Sequence, residues 1–157
     1  MERTNETVSV ELMQEQHLTA LAELERLCFS QPWSREGLAA ELCEPTACFL
    51  VAEQGCRVAG YAGMHCVLDE AYIANVAVHP DFRRRGIATV LLAELEACAK
   101  QRGAEFVSLE VRASNAGAIA LYESCGYETV GVRKGMYEQP KEDGFILTKY
   151  WKKEGIQ

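Results

Sequence analysis

Val76–Lys100, VAVHPDFRRRGIATVLLAELEACAK, decides how the rest of the chain is read. It begins as an apolar strand end and passes through a polar loop. It then settles into helical spacing, with Ile87, Val90, Leu91, Leu95 and Cys98 on one face. Gly103 stands where the C-cap of that helix belongs. The loop holds three consecutive arginines, Arg83, Arg84 and Arg85, directly before Gly86. Cations at a helix start are unfavourable by a few tenths to ~1 kcal/mol each, because that end already carries partial positive charge. A bound anion reverses the sign. The first amides of a helix have no intrahelical partner and form a natural anion site. Gly86 lets the backbone approach such a ligand closely, and small Ala88 leaves the first turn open. The alternative is a solvated basic loop. A nucleotide-phosphate loop of the G-x-x-x-x-G-K-[ST] type is excluded, and G-x-G-x-x-G is absent too.

Reading outward, Val8–Met13 alternates as a first strand, and Leu18, Leu21, Leu24 and Cys28 mark one face of a helix. SQPW (30–33) breaks that helix, and Ser34 is placed to cap a second one reaching about Cys43. CFLVAE (48–53) and RVAGYAGMHCVL (57–68) form two strands joined at Gln54-Gly55. AYIANVAV (71–78) is the fourth strand and FVSLEV (106–111) the fifth. Asn115–Cys125 is a short helix, followed by strands over about Tyr127–Tyr137 and Phe145–Trp151. The predicted order is β-α-α-β-β-β-α-β-α-β-β. That is an α/β fold with a mixed, mostly antiparallel sheet and a helical crossover between strands four and five.

The chain has 157 residues, 48% of them hydrophobic, which suits one domain over 1–157 with a substantial core. Its net charge of -7 speaks against non-specific nucleic-acid binding. The first ten residues, MERTNETVSV, contain no signal-peptide pattern, and no stretch approaches the ~18 apolar residues of a membrane span. The seven cysteines (28, 43, 48, 56, 66, 98, 125) form no C-x-x-C pair and no metal-ligand spacing. They read mostly as small buried residues of a reduced, cytoplasmic protein, and no metal is expected.

Arg83-x-x-Gly86-x-Ala88, placed after the fourth strand, resembles the acetyl-CoA loop R/Q-x-x-G-x-G/A of the GCN5-related N-acetyltransferase (GNAT) superfamily. LEVRASNAGAIALYESCGYETVGVRKGMY (109–137) is similar to the branch that acetylates ribosomal-protein alanines, the RimI type. PWS (32–34), VLDEA (67–71) and NVAVHPDFRRRG (75–86) are similar as well. The resemblance covers nearly the whole chain. It weakens in the cysteine-rich stretch 43–66 and again in GMYEQPKEDGFILTKYWKK (135–153). There the family usually carries two adjacent tyrosines and a longer acidic hairpin, echoed here by Tyr137 and Glu142-Asp143. The resemblance implies a sheet splayed between strands four and five. It also implies acetyl-CoA as cosubstrate, held by Arg84, Arg85, Gly86, Ile87, Ala88, Thr89 and Asn115, with pantetheine pairing to the backbone of Val76, Ala77 and Val78.

Acetyl transfer to an amine requires a neutral nitrogen, a stabilised oxyanion and a protonated leaving thiol. Glu110 is a carboxylate in a strand whose composition suggests burial, which would raise its pKa toward that of a working base. The alternative is a surface-facing strand glutamate. Tyr122, in the helix that follows, is a phenol able to donate toward a departing thiolate, or else a core tyrosine. The resemblance assigns Glu110 and Tyr122 the catalytic roles. Asn115 reads as a helix N-cap. Asn75 interrupts the fourth strand, as a bulge or as an outward polar residue. Trp33 either walls a peptide groove or plugs the core. No chemistry is assigned to His79. No cysteine has an evident activating partner, so direct attack in a ternary complex is expected. The function implied is acetylation of the N-terminal alanine of a small-subunit ribosomal protein, by an enzyme expected to be a monomer. Lysine or small-amine acetylation and a non-catalytic acyl-CoA sensor remain the alternatives. The acidity of the chain, with Glu142 and Asp143 near the substrate side, would favour a basic peptide and neither nucleic acid nor membrane.

Overall fold

In a computed structural model, which describes residues 7–138 and 140–151, the elements follow the predicted order. They are β1 (Val8–Leu12), α1 (Leu18–Cys28), α2 (Arg35–Glu41), β2 (Ala47–Gln54), β3 (Arg57–Val67), β4 (Glu70–Val78), α3 (Ile87–Gln101), β5 (Phe106–Arg112), α4 (Ala116–Ser124), β6 (Glu128–Glu138) and β7 (Lys141–Tyr150). Single 3₁₀ turns at Glu15–His17 and Pro80–Phe82 add to these. Ser34 caps α2 by accepting from the Gly37 amide at 3.0 Å. Gly55 turns the β2–β3 connection at φ 66°, and Gly103 follows α3 at φ 92°. β7 begins at Lys141 rather than Phe145. Lys141, Glu142 and Asp143 have little strand propensity, but the ladder with β6 pairs Glu138 with Lys141 and Tyr137 with Glu142. Hairpin pairing overrides propensity there.

The strands hydrogen-bond in the order β1-β2-β3-β4-β5-β7-β6. β1 with β2, β5 with β7 and β6 with β7 are antiparallel, and β4 with β5 is parallel. The parallel ladder joins only Glu70–Tyr72 to Phe106–Ser108. This short ladder is the form that the expected splay between strands four and five takes. No helix among the described residues is long and apolar enough to cross a membrane.

The chain forms two compact units. One comprises the residues up to Gly63 together with Asn75–Leu95; the other comprises Met64–Ala74 and the chain from Glu96 on. In the first, Leu18, Leu21 and Leu24 of α1 and Leu38 of α2 pack with Phe49, Val51 and Tyr61. The Trp33 ring, half-buried, packs against this core with its centre 5.9 Å from that of Phe49. Glu25 is buried there with no ion pair among the described residues. It accepts the Trp33 amide at 2.9 Å, the Tyr61 hydroxyl and the Asn75 side-chain amide. Asn75 is therefore not an outward residue. It is a half-buried donor that helps satisfy a buried carboxylate, as such a group requires. Burial, and then Glu25, push the Tyr61 phenol far up.

In the second unit, Val107, Leu109 and Val111 of β5 are buried with Tyr122, Tyr127 and Leu147. Glu96 accepts from the Tyr127 hydroxyl and from Lys149 Nζ, each at 2.9 Å. Two readings need correction. Only Cys48 is buried; Cys43 and Cys56 are exposed and the other cysteines half-buried, which their small surface makes inexpensive. Val90 is 39% exposed, while Leu92 and Ala99 are buried, so the apolar stripe of α3 is shifted from the one expected.

Candidate active site

The arginine loop belongs to the first unit. β4 ends at Val78, the Pro80–Phe82 turn follows, and α3 starts at Ile87. The first helical bond runs from the Val90 amide to the Gly86 carbonyl at 3.0 Å. The amides of Ile87, Ala88 and Thr89 precede it and lack intrahelical partners, as an anion site requires. Gly86 has φ 78°, and nothing lies within 4 Å of where its Cβ would be. The three arginines are not equivalent. Arg83 is tied inward, donating to the Val78 carbonyl at 3.0 Å and reaching Cys28 Sγ at 3.4 Å. Arg85 donates to Gln54 at 3.2 Å and lies over the Phe82 ring. Arg84, exposed and at φ 66°, makes no side-chain hydrogen bond or ion pair among the described residues. The Val78 carbonyl, at the end of β4, accepts from Arg83 and also faces Cys28 Sγ. His79 Nδ1 caps the turn by accepting from the Asp81 amide at 3.0 Å.

The second unit carries the groups suited to proton transfer. Glu110 lies on β5, and its side chain is only 9% exposed. Its Oε1 accepts from the Tyr72 hydroxyl at 2.6 Å, and its Oε2 is paired with Arg133 Nε at 2.7 Å. The registers explain the cluster. Tyr72 pairs with Ser108, and Glu110 is two residues further along the same face of β5. Glu110 pairs with Ile146 and Ile146 with Gly131, so Arg133 reaches back across β7 from two positions beyond. Burial, and then Glu110, push the Tyr72 phenol well above its ordinary value. Neither Tyr72 nor Arg133 was anticipated. The signal for them is registration between strands distant in sequence, which a single chain does not display.

Tyr122 is buried on α4, with its ring 5.9 Å from that of Tyr127 in an edge-on contact. Its hydroxyl makes no hydrogen bond among the described residues. Burial, and next Tyr137, push it up to about 12. It therefore keeps its proton at neutral pH and is a donor, not a base. Asn115 caps α4 by accepting from the Ala118 amide at 3.1 Å, which leaves its exposed side-chain NH₂ for a ligand. Glu142 and Asp143 are committed internally. Glu142 accepts from the Ser114 amide (2.9 Å), the Ser114 hydroxyl (3.1 Å) and Arg112 (3.2 Å), and the Ser114 bonds hold its carboxyl below the usual range. Asp143 accepts from the Gly135 amide at 2.8 Å. Both carboxylates shape the β6–β7 hairpin.

Elsewhere, Glu11, His17 and Glu53 bring three potential metal ligands together. His17 Nδ1 accepts from the Gln14 amide at 2.9 Å, so the ring proton sits on Nε2. A metal needs a lone pair at that nitrogen, and a ligating histidine donates its other ring N–H rather than accepting there. The cluster is an imidazole N–H facing two carboxylates at 3.3 and 3.6 Å.

A mixed sheet with parallel β4–β5, and α3 following a basic loop between them, defines an N-acetyltransferase. The chain belongs to the Acetyltransferase (GNAT) family, whose model matches residues 18–127. It is 38% identical over 132 residues to the [ribosomal protein bS18]-alanine N-acetyltransferase of Escherichia coli, spanning 83% of this chain and 88% of that one. It is 36% identical over 141 residues to the Salmonella typhimurium protein of the same name, spanning 88% and 95%. The crystal structure of the ribosomal-protein-alanine N-acetyltransferase from Escherichia coli matches with a TM-score of 0.84 at 33% identity, over 92% of this chain and 94% of that one. Acetyl-CoA is the cosubstrate of the family.

Proposed function

We propose that this chain acetylates the α-amine of an N-terminal alanine on a basic ribosomal protein of the bS18 class, in the cytoplasm, by direct attack on acetyl-CoA in a ternary complex. The observation that carries the reading is Glu110, a largely shielded carboxylate in the LEVRASN stretch. It is supported by the names of relatives at 36–38% identity. An α-amine has a pKa of ~7.7–8.0 against ~10.4 for lysine, so at pH 7 its deprotonation is easier by roughly 3–4 kcal/mol. One carboxylate suffices for that task. In this reading Glu110 takes the proton as nitrogen bonds to the acetyl carbon, and Tyr122 donates toward the sulfur as the C–S bond breaks. Burial pushes the Cys28 and Cys66 thiols up, away from the reactive thiolate that a cysteine-bound acyl route would need. The amides of Ile87–Thr89, with Arg84 and Arg85, would hold the pyrophosphate. The amide of Asn115 and the β4 backbone at Val76–Val78 would hold the rest of the cofactor.

Two outcomes test this. Matched peptides beginning with alanine and followed by basic residues, with the N-terminus free or blocked and a lysine in each, separate the amines. The acetyl group, located by fragmentation, is expected on the free terminus at least tenfold faster than on the lysine of the blocked peptide. Equal rates would favour the lysine alternative. The net charge of -7 should make the apparent KM rise with salt more than kcat falls. For the loop, Gly86→Val introduces a β-branched residue at positive φ where backbone must meet phosphate. Calorimetry is expected to show CoA affinity weakened at least tenfold. Unchanged affinity in the folded variant removes the pyrophosphate assignment.

A further inference from the structure

Arg112 and Arg133 flank Gly144 of β7 in one cross-strand row, because each pairs with that glycine. Their surroundings differ. Arg112 donates to the Pro140 carbonyl at 2.7 Å and to Glu142 at 3.2 Å, and its guanidinium lies 4.4 Å from the centre of the Tyr137 ring. It is fixed from several sides. The Arg133 side chain is 63% exposed, and among the described residues its ion pair is with Glu110. Pairs with so exposed a member contribute little, ~0–1 kcal/mol, because water competes for the cation and the long side chain loses freedom. The two ends of the pair are therefore unequal. The Glu110 side chain, 9% exposed, needs a cation or donor in that place, whereas Arg133 has solvent available to it.

We propose that the Arg133 guanidinium occupies the place of the substrate's α-ammonium on Glu110 Oε2, so that a free N-terminus binds by displacing it. This rests on the reading of Glu110 as the base for an α-amine. The incoming group is itself a cation near neutral pH, so charge on Glu110 is conserved through the exchange, and the Tyr72 hydroxyl bond to Oε1 need not change. Arg133 swings to solvent and makes no bond to the reacting atoms. It is a specificity residue. An amine must bring binding energy from the rest of its peptide to displace the guanidinium, which disfavours small amines. Once seated, the ammonium gives one proton to Glu110, and its neutral nitrogen then attacks the acetyl carbon. The second N–H proton is lost as the C–S bond breaks and the released thiolate becomes the thiol. The base that Arg133 had covered thus becomes available only when substrate is present.

The experiment compares Arg133→Ala and Arg133→Lys with the unchanged enzyme, using an alanine-starting basic peptide and alanine amide as the two amines. Arg133→Ala is expected to lower KM for the peptide about threefold to fivefold, the ceiling that an exposed pair sets. It should also lower KM for alanine amide by at least as much. Arg133→Lys, which keeps a cation in reach, should return both KM values most of the way. A fall in kcat with KM unchanged would overturn the proposal, because it would mean that Arg133 merely positions Glu110. A rise in KM would also overturn it, since the side chain would then be helping to bind substrate. No acetylation of either amine by the unchanged enzyme would sink the α-amine reading itself, and that result is distinct from the other two.

Discussion

Glu110→Gln is expected to lower kcat at pH 7 by about 10²–10³-fold while leaving CoA affinity close to that of the unchanged enzyme. The substitution keeps the shape of the side chain. The Tyr72 hydroxyl can still donate to the amide oxygen, so the strand face around the site stays in place. What is lost is the capacity to accept a proton, together with the ion pair to Arg133. The variant must then rely on the small fraction of substrate already deprotonated, and that fraction grows through the α-amine pKa of ~7.7–8.0. Its rate should therefore climb steeply between about pH 7 and 9, and the deficit should narrow toward the alkaline end. A pH–rate profile measured with saturating acetyl-CoA checks this. Turnover near that of the unchanged enzyme at pH 7 would remove Glu110 as the base, and a fixed deficit at every pH would assign it a structural role.

Much of this site was legible before any coordinates. Helical spacing over Ile87–Cys98 and the glycine at 103 set α3, and a basic loop before a glycine drew attention to the free amides at its start. These are local signals, written within about one element of sequence. What escaped was everything that depends on registration. Tyr72 meets Glu110 only because β4 pairs with β5 at Ser108, and Arg133 only because β7 enters the sheet between β5 and β6. No periodicity encodes those choices. Charge shows the same limit. Glu142 and Asp143 read as surface acidity, and only the structure shows that they also accept the Ser114 and Gly135 amides. Glu25 is the converse case. A glutamate in an amphipathic helix reads as solvent-facing, and this one is buried because Trp33, Tyr61 and Asn75, from three other segments, supply its donors.

Tyr122→Phe is expected to lower kcat by about 10²-fold with little effect on acetyl-CoA binding, and without changing the shape of the pH–rate profile. The last point follows from the environment of the phenol. Burial raises it to about 12, so over pH 6–10 it remains protonated and contributes no limb to the profile. The same number limits its role. A thiol such as cysteine has a pKa of ~8.5, so complete proton transfer from this phenol to a departing thiolate would run uphill by roughly 3–4 pKa units, about 5 kcal/mol. Tyr122 is therefore better suited to stabilise negative charge on sulfur by hydrogen bonding while the C–S bond breaks, with solvent delivering the proton afterwards. A hydrogen bond that strengthens as charge develops lowers kcat when removed and leaves ground-state binding alone. Removing the hydroxyl should not loosen the fold, because the ring contact with Tyr127 remains and no hydrogen bond of the described residues is broken. Leaving-group chemistry supplies the decisive measurement. With an acyl donor whose thiol is more acidic than that of CoA, less charge needs help, and the gap between Tyr122→Phe and the unchanged enzyme should shrink. A gap that stays constant across donors of different thiol acidity would remove the hydroxyl from the bond-breaking step.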